Sequence, residues 1–538
     1  MKRKKFISNG SLLGLVAGTL SVESFTTVTT SEKTKAGMQN HIDEFELNEI
    51  TIDELQQKMA LGKLTAVQLA EIYLKRIDAI DKNGFALRSV IEINPTAIKE
   101  ASLLDEERKR GETRGILHGI PVLIKDNMDV ENMNTTAGSL ALVGNKPSQD
   151  AFLVKQLRKA GAVILGKTNL SEWANIRSEN SSSGWSSRGG QTKNPYILDR
   201  NPCGSSSGSA VAVSANLCAV AIGTETDGSI VAPASVNGVV GLKPTVGLIS
   251  RTGIIPISET QDTAGPIART VKDAAILLGV ITGIDEKDEA AALSKGKAFP
   301  DYTKFLQTGL LKGKRIGVEA AWSSKNTKMN LLFQKIIQQL KSAEAVVVEI
   351  QILEPLSKLG DAELEVLLCE FKDGLNKYLS NNNAKIKTLA DLIAFNKKEE
   401  NVVMPFFQQE IFEKAEKTDG LKTDVYLNAL SLSRDTSRKI IDEVMSKNNL
   451  DAIMGLTSGP ACTTDLIYGD HWGDISFSAP AAMAGYPHIT VPAGFVYDLP
   501  IGVSFFSEAF SEPKLLGIAY AFEQRFGARK KPEFKSTL

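Results

Sequence analysis

The chain has 538 residues, of which 42% are hydrophobic and 23% charged, with a formal net charge of −1. These are ordinary globular values that exclude global disorder, and the length suits one large α/β domain or two ordinary ones. Near-neutral charge gives no reason to expect nucleic acid or an anionic membrane as partner.

Residues 1–40 read as a leader. Lys2-Arg3-Lys4-Lys5 is a positive start, residues 11–20 form a short apolar stretch, and Val22-Glu23-Ser24 is a poor cleavage site lacking the preferred alanines. The apolar stretch is too short for a permanent membrane anchor. The expectation is a secreted or cell-surface protein. The alternative is a fortuitous basic start on a cytoplasmic protein, which four unpaired cysteines favour. Cys203, Cys218, Cys369 and Cys462 show neither CxxC nor Cys/His ligand spacing. They read as buried thiols, and neither metal nor cofactor is expected.

Folding signals begin near residue 44. Thr51-x-x-Glu54 and Thr65-x-x-Gln68 are capping boxes with Gly62 between them as a helix stop. The second box opens a helix carrying Leu69, Tyr73, Ile77 and Ile80 on one stripe. A helix over 97–110 precedes a strand at 120–125, and a helix over 152–160 precedes a strand at 162–165. Such alternation predicts a mostly parallel sheet covered by helices. Between 184 and 265 small residues dominate, too apolar for a linker, and this stretch reads as the packed centre of the fold. Residues 272–449 are helical and rich in lysine and glutamate, with one strand at 315–318. Their 300–450 portion is expected to roof a pocket and set specificity. Strands return at 451–456, 489–494 and 499–505, and a last helix covers 515–526.

Three segments carry chemistry: Gly119-Ile-Pro-Val-Leu-Ile-Lys125-Asp126, Pro202-Cys-Gly-Ser-Ser-Ser-Gly-Ser209 and Gly223-Thr-Glu-Thr-Asp-Gly-Ser229. Each offers an amine or hydroxyl where small residues let backbone approach a ligand. A serine hydrolase needs a nucleophile, a base and amide donors for the oxyanion. Histidine is scarce, with only His41, His118, His471 and His488, and none lies in these segments. This counts against a Ser-His-Asp triad without excluding one. Lysine is the substitute base, provided burial or positive neighbours lower its pKa. Lys125 closes an apolar strand that would deliver the amine into a dry place; a strand-end lysine reaching solvent is the competing reading. Taken alone, the 205–209 run could equally be a turn or a helix cap, and Ser229 is an ordinary serine after glycine.

Together these segments resemble the amidase signature family, and the resemblance runs from about residue 45 to 530. Its marks are a lysine closing a Gly-Ile-Pro strand, a Gly-Ser-Ser-x-Gly run, and a Gly-Ser-Ile whose serine falls twenty-four positions after Ser205. Gly241-Leu-Lys-Pro-Thr245, Asp262-Thr-Ala-Gly-Pro266 and Val491-Pro-x-Gly494 add support. Residues 166–175, 189–195 and 223–229 look most like peptide amidases, which release ammonia from C-terminally amidated peptides. The resemblance implies an α/β amidase signature fold over residues 45–535 and a Ser–Ser–Lys triad. Ser229 would attack the carbonyl, Ser205 in a cis peptide would relay the proton, and Lys125 would act as base. Backbone amides of Thr226, Asp227, Gly228 and Ser229 would surround the oxyanion. Apart from the resemblance, Ser206 and Trp185 are the candidate substrate contacts.

Many members read Thr-Asp-x-Gly-Gly-Ser-Ile-Arg where this chain has Thr224-Glu-Thr-Asp-Gly-Ser-Ile-Val231, so any ion pair made there must differ. The peptide-amidase type shares the change, which reads as specificity. Trp173, Trp185, Trp322 and Trp472 read first as packing, with Trp185 or Trp472 lining a pocket as the competing reading, and Asp470-His471 as a loop with little claim on substrate. The expected partner is a peptide or small amide. One competing function is that of an amidotransferase A-type subunit, which takes glutamine as substrate in a tRNA-dependent complex. The other is a non-catalytic binding protein on the same fold.

Overall fold

Both capping boxes form as the sequence predicts. Thr51 and Glu54 exchange side-chain and backbone bonds at the start of Ile52–Ala60, and Thr65 and Gln68 do so at Ala66–Arg76. Leu69, Tyr73, Ile77 and Ile80 are all buried, although the chain widens into a π-helix over Ile77–Lys82. This computed structural model describes residues 45–320 and 322–538. The leader expected over residues 1–40 lies outside the described residues.

Among the described residues thirteen strands follow in chain order: β1 (Val90–Ile93), β2 (Pro121–Lys125), β3 (Val163–Thr168), β4 (Trp185–Ser186), β5 (Gly190–Gln191), β6 (Val220–Glu225), β7 (Val240–Lys243), β8 (Thr263–Ala268), β9 (Arg315–Glu319), β10 (Val346–Ile350), β11 (Ala452–Leu456), β12 (His488–Val496) and β13 (Leu499–Phe506). Strands β4 and β5 pair alone. The rest form one sheet ordered β1-β3-β2-β6-β8-β7-β12-β13-β11-β9-β10. It is mixed, as expected. Parallel pairing dominates the two wings, β3-β2-β6 and β11-β9-β10, where helices make the crossovers. The centre and the β1 edge are antiparallel, so four of the ten pairings are parallel and six are not. The alternation of helix and strand therefore describes the wings. At the centre, β12 returns directly into β13 through Tyr497 and Asp498, both with positive φ, a tight hairpin that imposes antiparallel pairing.

Residues 47–538 make one compact unit. The small-residue stretch is its interior. All eight residues of the helix Ser207–Ser214 are buried, which explains the absence of any amphipathic period. A Cβ on Gly208 would fall 2.3 Å from the carbonyl oxygen of Ser89, so only glycine lets this helix seat against its neighbours. That helix packs on β6 and β8 and Val231–Val236 on β13, β12 and β7, while Val271–Ile281 packs on β8 and Glu512–Phe526 on β12, the last two also against each other.

The roof is narrower than the 300–450 stretch. Strands β9 and β10 extend the sheet, whereas Gly360–Ser380, Leu389–Lys398 and Glu410–Glu416 pack together through Phe371, Leu375, Leu392 and Phe412. The same cluster includes Trp173, Ile255 and Ile257 from the body of the fold, which seats the roof.

Candidate active site

Parallel strands present their carboxyl ends at one edge, where open α/β sheets place ligands. Lys125 ends β2, and Thr224 lies near the end of its parallel neighbour β6. Ser205 and Ser206 immediately precede the helix Ser207–Ser214, and the Gly204–Ser205 peptide is cis. Lys125 Nζ approaches Ser205 Oγ at 2.8 Å, Thr224 Oγ1 at 2.8 Å, Ser206 Oγ at 3.1 Å and the Thr224 carbonyl at 3.2 Å. The side chain is fully buried. Burial pulls the amine down to about 7, partly opposed by the negative charges of Asp262 and Glu225. Lys167 is equally buried but stands 3.5 Å from Asp126, an ion pair that gives it a structural reason to be there.

Ser229 joins this group through the backbone, its carbonyl accepting from Ser206 N at 3.1 Å. Ser229 as a whole is 9% exposed. The loop before it is pinned at both ends. Thr226 Oγ1 donates to Asp262 Oδ1 at 2.6 Å, and Glu225 Oε2 accepts from Ile230 N and Val231 N at 2.8 and 3.0 Å. Gly228 turns the loop at φ +73°, and a Cβ there would fall 2.9 Å from Ser478 Oγ. Among the described residues, none of the four N–H groups of Thr226, Asp227, Gly228 and Ser229 donates to another protein group. Successive free amides in a tight loop make a site for negative charge.

Above these groups lies a cavity of about 350 Å³, within the usual range of small-molecule sites. Ser205, Thr224, Thr226 and Asn127 line it, residues 254–257 form an apolar wall, and Glu370, Asp373, Gly374 and Lys377 come from the roof helix. Glu370 ties that helix to the body by accepting from Ser258 Oγ at 2.5 Å and Tyr426 Oη at 2.6 Å. Arg251 at the rim is paired with Asp288. Among the described residues, no group of three or more His, Cys, Asp or Glu is arranged to hold a metal.

Two expected substrate contacts are corrected. Ser206 is turned into the protein: its hydroxyl donates to the Thr224 carbonyl at 3.0 Å and accepts from Thr224 N at 3.2 Å, pinning the serine run to β6. Trp185 is buried edge-on against Phe406 and Phe407, beside Arg177, and does not line the cavity. Asp470 clamps loops, accepting from Ser183 N and Asn201 Nδ2, both at 2.9 Å. Sequence reasoning gives no role to Asn127 or Asp262. Asp262 opens the Asp-Thr-Ala-Gly-Pro motif, but its grip on Thr226 exists only once β8 lies against β6.

The amidase family model matches residues 68–516. The chain belongs to the amidase family. This amidase is 44% identical to a protein of Arabidopsis thaliana named a probable amidase, covering 91% of the chain and 92% of that protein. It is 49% identical to the native peptide amidase of Stenotrophomonas maltophilia, with a TM-score of 0.87 over 91% of the chain and 99% of that structure. A glutamyl-tRNA(Gln) amidotransferase subunit of Clostridium kluyveri is 34% identical over 88% of the chain and 95% of its own length. The amidase is thus a hydrolase of amide C–N bonds with close structural likeness to peptide amidase.

Proposed function

We propose that this amidase hydrolyses the C-terminal carboxamide of peptides to carboxylate and ammonia, through Lys125, Ser205 and Ser229. The observation that carries the reading is a buried amine, free of any carboxylate partner within 4 Å among the described residues, 2.8 Å from the Ser205 hydroxyl. The likeness to peptide amidase supports the substrate class.

A count of hydrogens supports the roles. Neutral Lys125 has two N–H groups and one lone pair. The Thr224 carbonyl can only accept, and the Ser206 hydroxyl has already given its proton to that carbonyl. These two take the N–H groups, and the lone pair is left facing the hydroxyls of Ser205 and Thr224, both at 2.8 Å, of which Ser205 is the one in the serine run. Ser205 in turn keeps a lone pair for the Ser229 proton. As Ser229 Oγ attacks the carbonyl carbon, its proton passes through Ser205 to Lys125. The C=O electron pair moves onto oxygen, where the free amides of residues 226–229 meet it. The proton then returns through Ser205 to the amide nitrogen, the C–N bond breaks and ammonia leaves. Water repeats the sequence on the acyl-enzyme. The basic-apolar leader supports export as part of the same proposal.

The test is ammonia release from amidated dipeptides, glutamine, asparagine and simple amides, comparing the wild type with Ser229→Ala. Turnover by the wild type on amidated dipeptides and its loss in the folded variant are expected. Wild-type-like turnover in the variant would overturn the mechanism. Activity confined to free glutamine or asparagine would overturn the peptide assignment alone. The 34% likeness to an amidotransferase component favours a second reading, ammonia supply within a complex. It requires stable partner chains, and activity of the isolated chain decides against it.

A further inference from the structure

Residues 257–262 touch the wall of the cavity, its roof and the oxyanion loop, and one carboxylate joins them. Asp262 immediately precedes β8. Its Oδ2 accepts from Ile257 N at 2.7 Å and Ser258 N at 2.9 Å, and its Oδ1 accepts from Thr226 Oγ1 at 2.6 Å. Its own N–H donates to the Ser258 carbonyl at 2.9 Å, which closes the segment into a loop. Within that loop Ser258 Oγ donates to Glu370 at 2.5 Å and Gln261 Nε2 to Glu363 at 2.8 Å, both on the roof helix Gly360–Ser380. Thr226, Ile257 and Asp262 all line the cavity.

The bonds are of the strong kind, three donors on one carboxylate at short range. Thr226 is the first of the four residues whose free N–H groups face the oxyanion, and Ile257 ends the apolar wall. Glu225 braces the loop from within its own segment, through Ile230 N and Val231 N; Asp262 ties it to a different one. The same carboxylate acts on the base. Burial pulls the Lys125 amine down, and the foremost charge opposing that pull is Asp262, followed by Glu225. Partial burial raises the Asp262 carboxyl, while its three hydrogen bonds and the charge of Arg251 favour the ionised form.

We propose that Asp262 is a positioning residue for hydrolysis, a joint that locks the oxyanion loop to the wall on which the acyl part of the substrate lies. The proposal rests on the amide-hydrolase reading and deepens it. Oxyanion donors act only when they lie about 2.7–3.1 Å from the place the oxygen takes in the transition state. The wall sets where the acyl chain rests, and the loop sets where the donors point. Their spacing must therefore be held to a few tenths of an ångström, and a carboxylate bonded to both does so. Asp262 touches neither Ser205 nor Ser229 among its hydrogen bonds, so it works through Thr226, Ile257 and its field at Lys125.

The test compares Thr226→Val and Asp262→Asn with the wild type, each checked first by thermal unfolding. Two rates are followed across pH: ammonia release from an amidated dipeptide and labelling of Ser229 by a fluorophosphonate. Thr226→Val removes the bond to the loop and keeps the carboxylate. Its kcat should fall about tenfold with KM changed by less than about threefold, part of what a whole oxyanion donor supplies. Asp262→Asn should lose at least as much kcat and also move the pH profile. With the foremost opposing charge gone the Lys125 amine falls further, so activity at pH 6 rises from about a tenth of the plateau to about a quarter or more. A purely structural lesion leaves that profile where it is. Unchanged kcat in both variants, or a loss in Asp262→Asn with the profile unmoved, overturns the proposal and leaves the amidase reading standing. Should Asp262→Asn fail to fold, the kcat of Thr226→Val decides alone. A wild type that labels but releases no ammonia loses the peptide assignment, and the labelling rates then carry the comparison. A wild type inert in both assays ends the Lys125 mechanism and this proposal with it.

Discussion

Replacing Lys125 with methionine should move activity and stability in opposite directions. Methionine matches the lysine stem in length and belongs in an apolar pocket. Burial draws the amine from 10.5 to about 7. The unfolded chain therefore binds more protons than the folded one between those values, and the stability of the wild type rises with pH across that window. At pH 7, holding the amine in the folded protein costs about 4 kcal/mol relative to an unperturbed lysine. Against this stand the four contacts of Nζ with Ser205, Ser206 and the two oxygens of Thr224, worth about 0.5 kcal/mol each at the low end for neutral pairs. Lys125→Met should thus be about 2 kcal/mol more stable than the wild type in urea at pH 7, with the gap narrowing as pH approaches 10. Ammonia release should fall by about 10³-fold or more, the range of a general base that also activates the nucleophile. A variant less stable than the wild type at pH 7, or one retaining a tenth of its activity, would refute a buried, neutral, catalytic amine.

Three further outcomes follow from the same geometry. Ser229→Ala should lose both ammonia release and labelling by a fluorophosphonate probe, with stability changed by less than about 0.5 kcal/mol, as its hydroxyl makes no hydrogen bond to a described residue. The wild-type kcat/KM should rise through an apparent pKa near 7, because only the neutral Lys125 accepts a proton. At pH 6 it should stand at about a tenth of its plateau, and a profile flat from pH 6 to 9 would remove Lys125 as the base. Gly228→Ala sits at φ +73° and would press on Ser478. It should cost about 1–2 kcal/mol in thermal unfolding and lower kcat more than it raises KM, since the amides it displaces act on the transition state.

The wings of the sheet were legible because local signals agreed there. Capping boxes, a single apolar stripe and short apolar runs all pointed to the elements that form. The centre was less so. Residues 207–243 are buried almost throughout, and a segment buried on every side carries no period to tell helix from strand. Lys125, Ser205 and Ser229 were readable through their spacing. Ser206 misled because a serine in a run of serines gives no sign of which way its hydroxyl turns; the β6 backbone decides that. Trp185 misled because an aromatic beside a pocket and one beneath a roof segment look alike until the 406–407 segment folds over it. Asp262 and Glu363 act through contacts 36 and 102 residues away in the chain, beyond the reach of any local pattern.

The same limit explains why the interior holds three lysines that only the fold can tell apart. Lys125, Lys167 and Lys243 are all fully buried near the ends of apolar strands. Lys167 lies beside Asp126 and donates to the carbonyls of Met128 at 2.6 Å and Asn134 at 3.1 Å, groups that can only accept and so favour the charged form. Lys243 sits in the field of Glu225, Glu512 and Asp227. Around Lys125 three of the four neighbours are hydroxyls; that of Ser206 is held by the Thr224 carbonyl, and those of Ser205 and Thr224 can accept from an ammonium or turn and donate to an amine. Its surroundings therefore serve both protonation states at little reorganisation, as a proton relay requires and a structural ion pair does not. Identity at the strand end makes all three lysines candidates; the choice among them lies in whether the partners can reverse the direction of their hydrogen bonds.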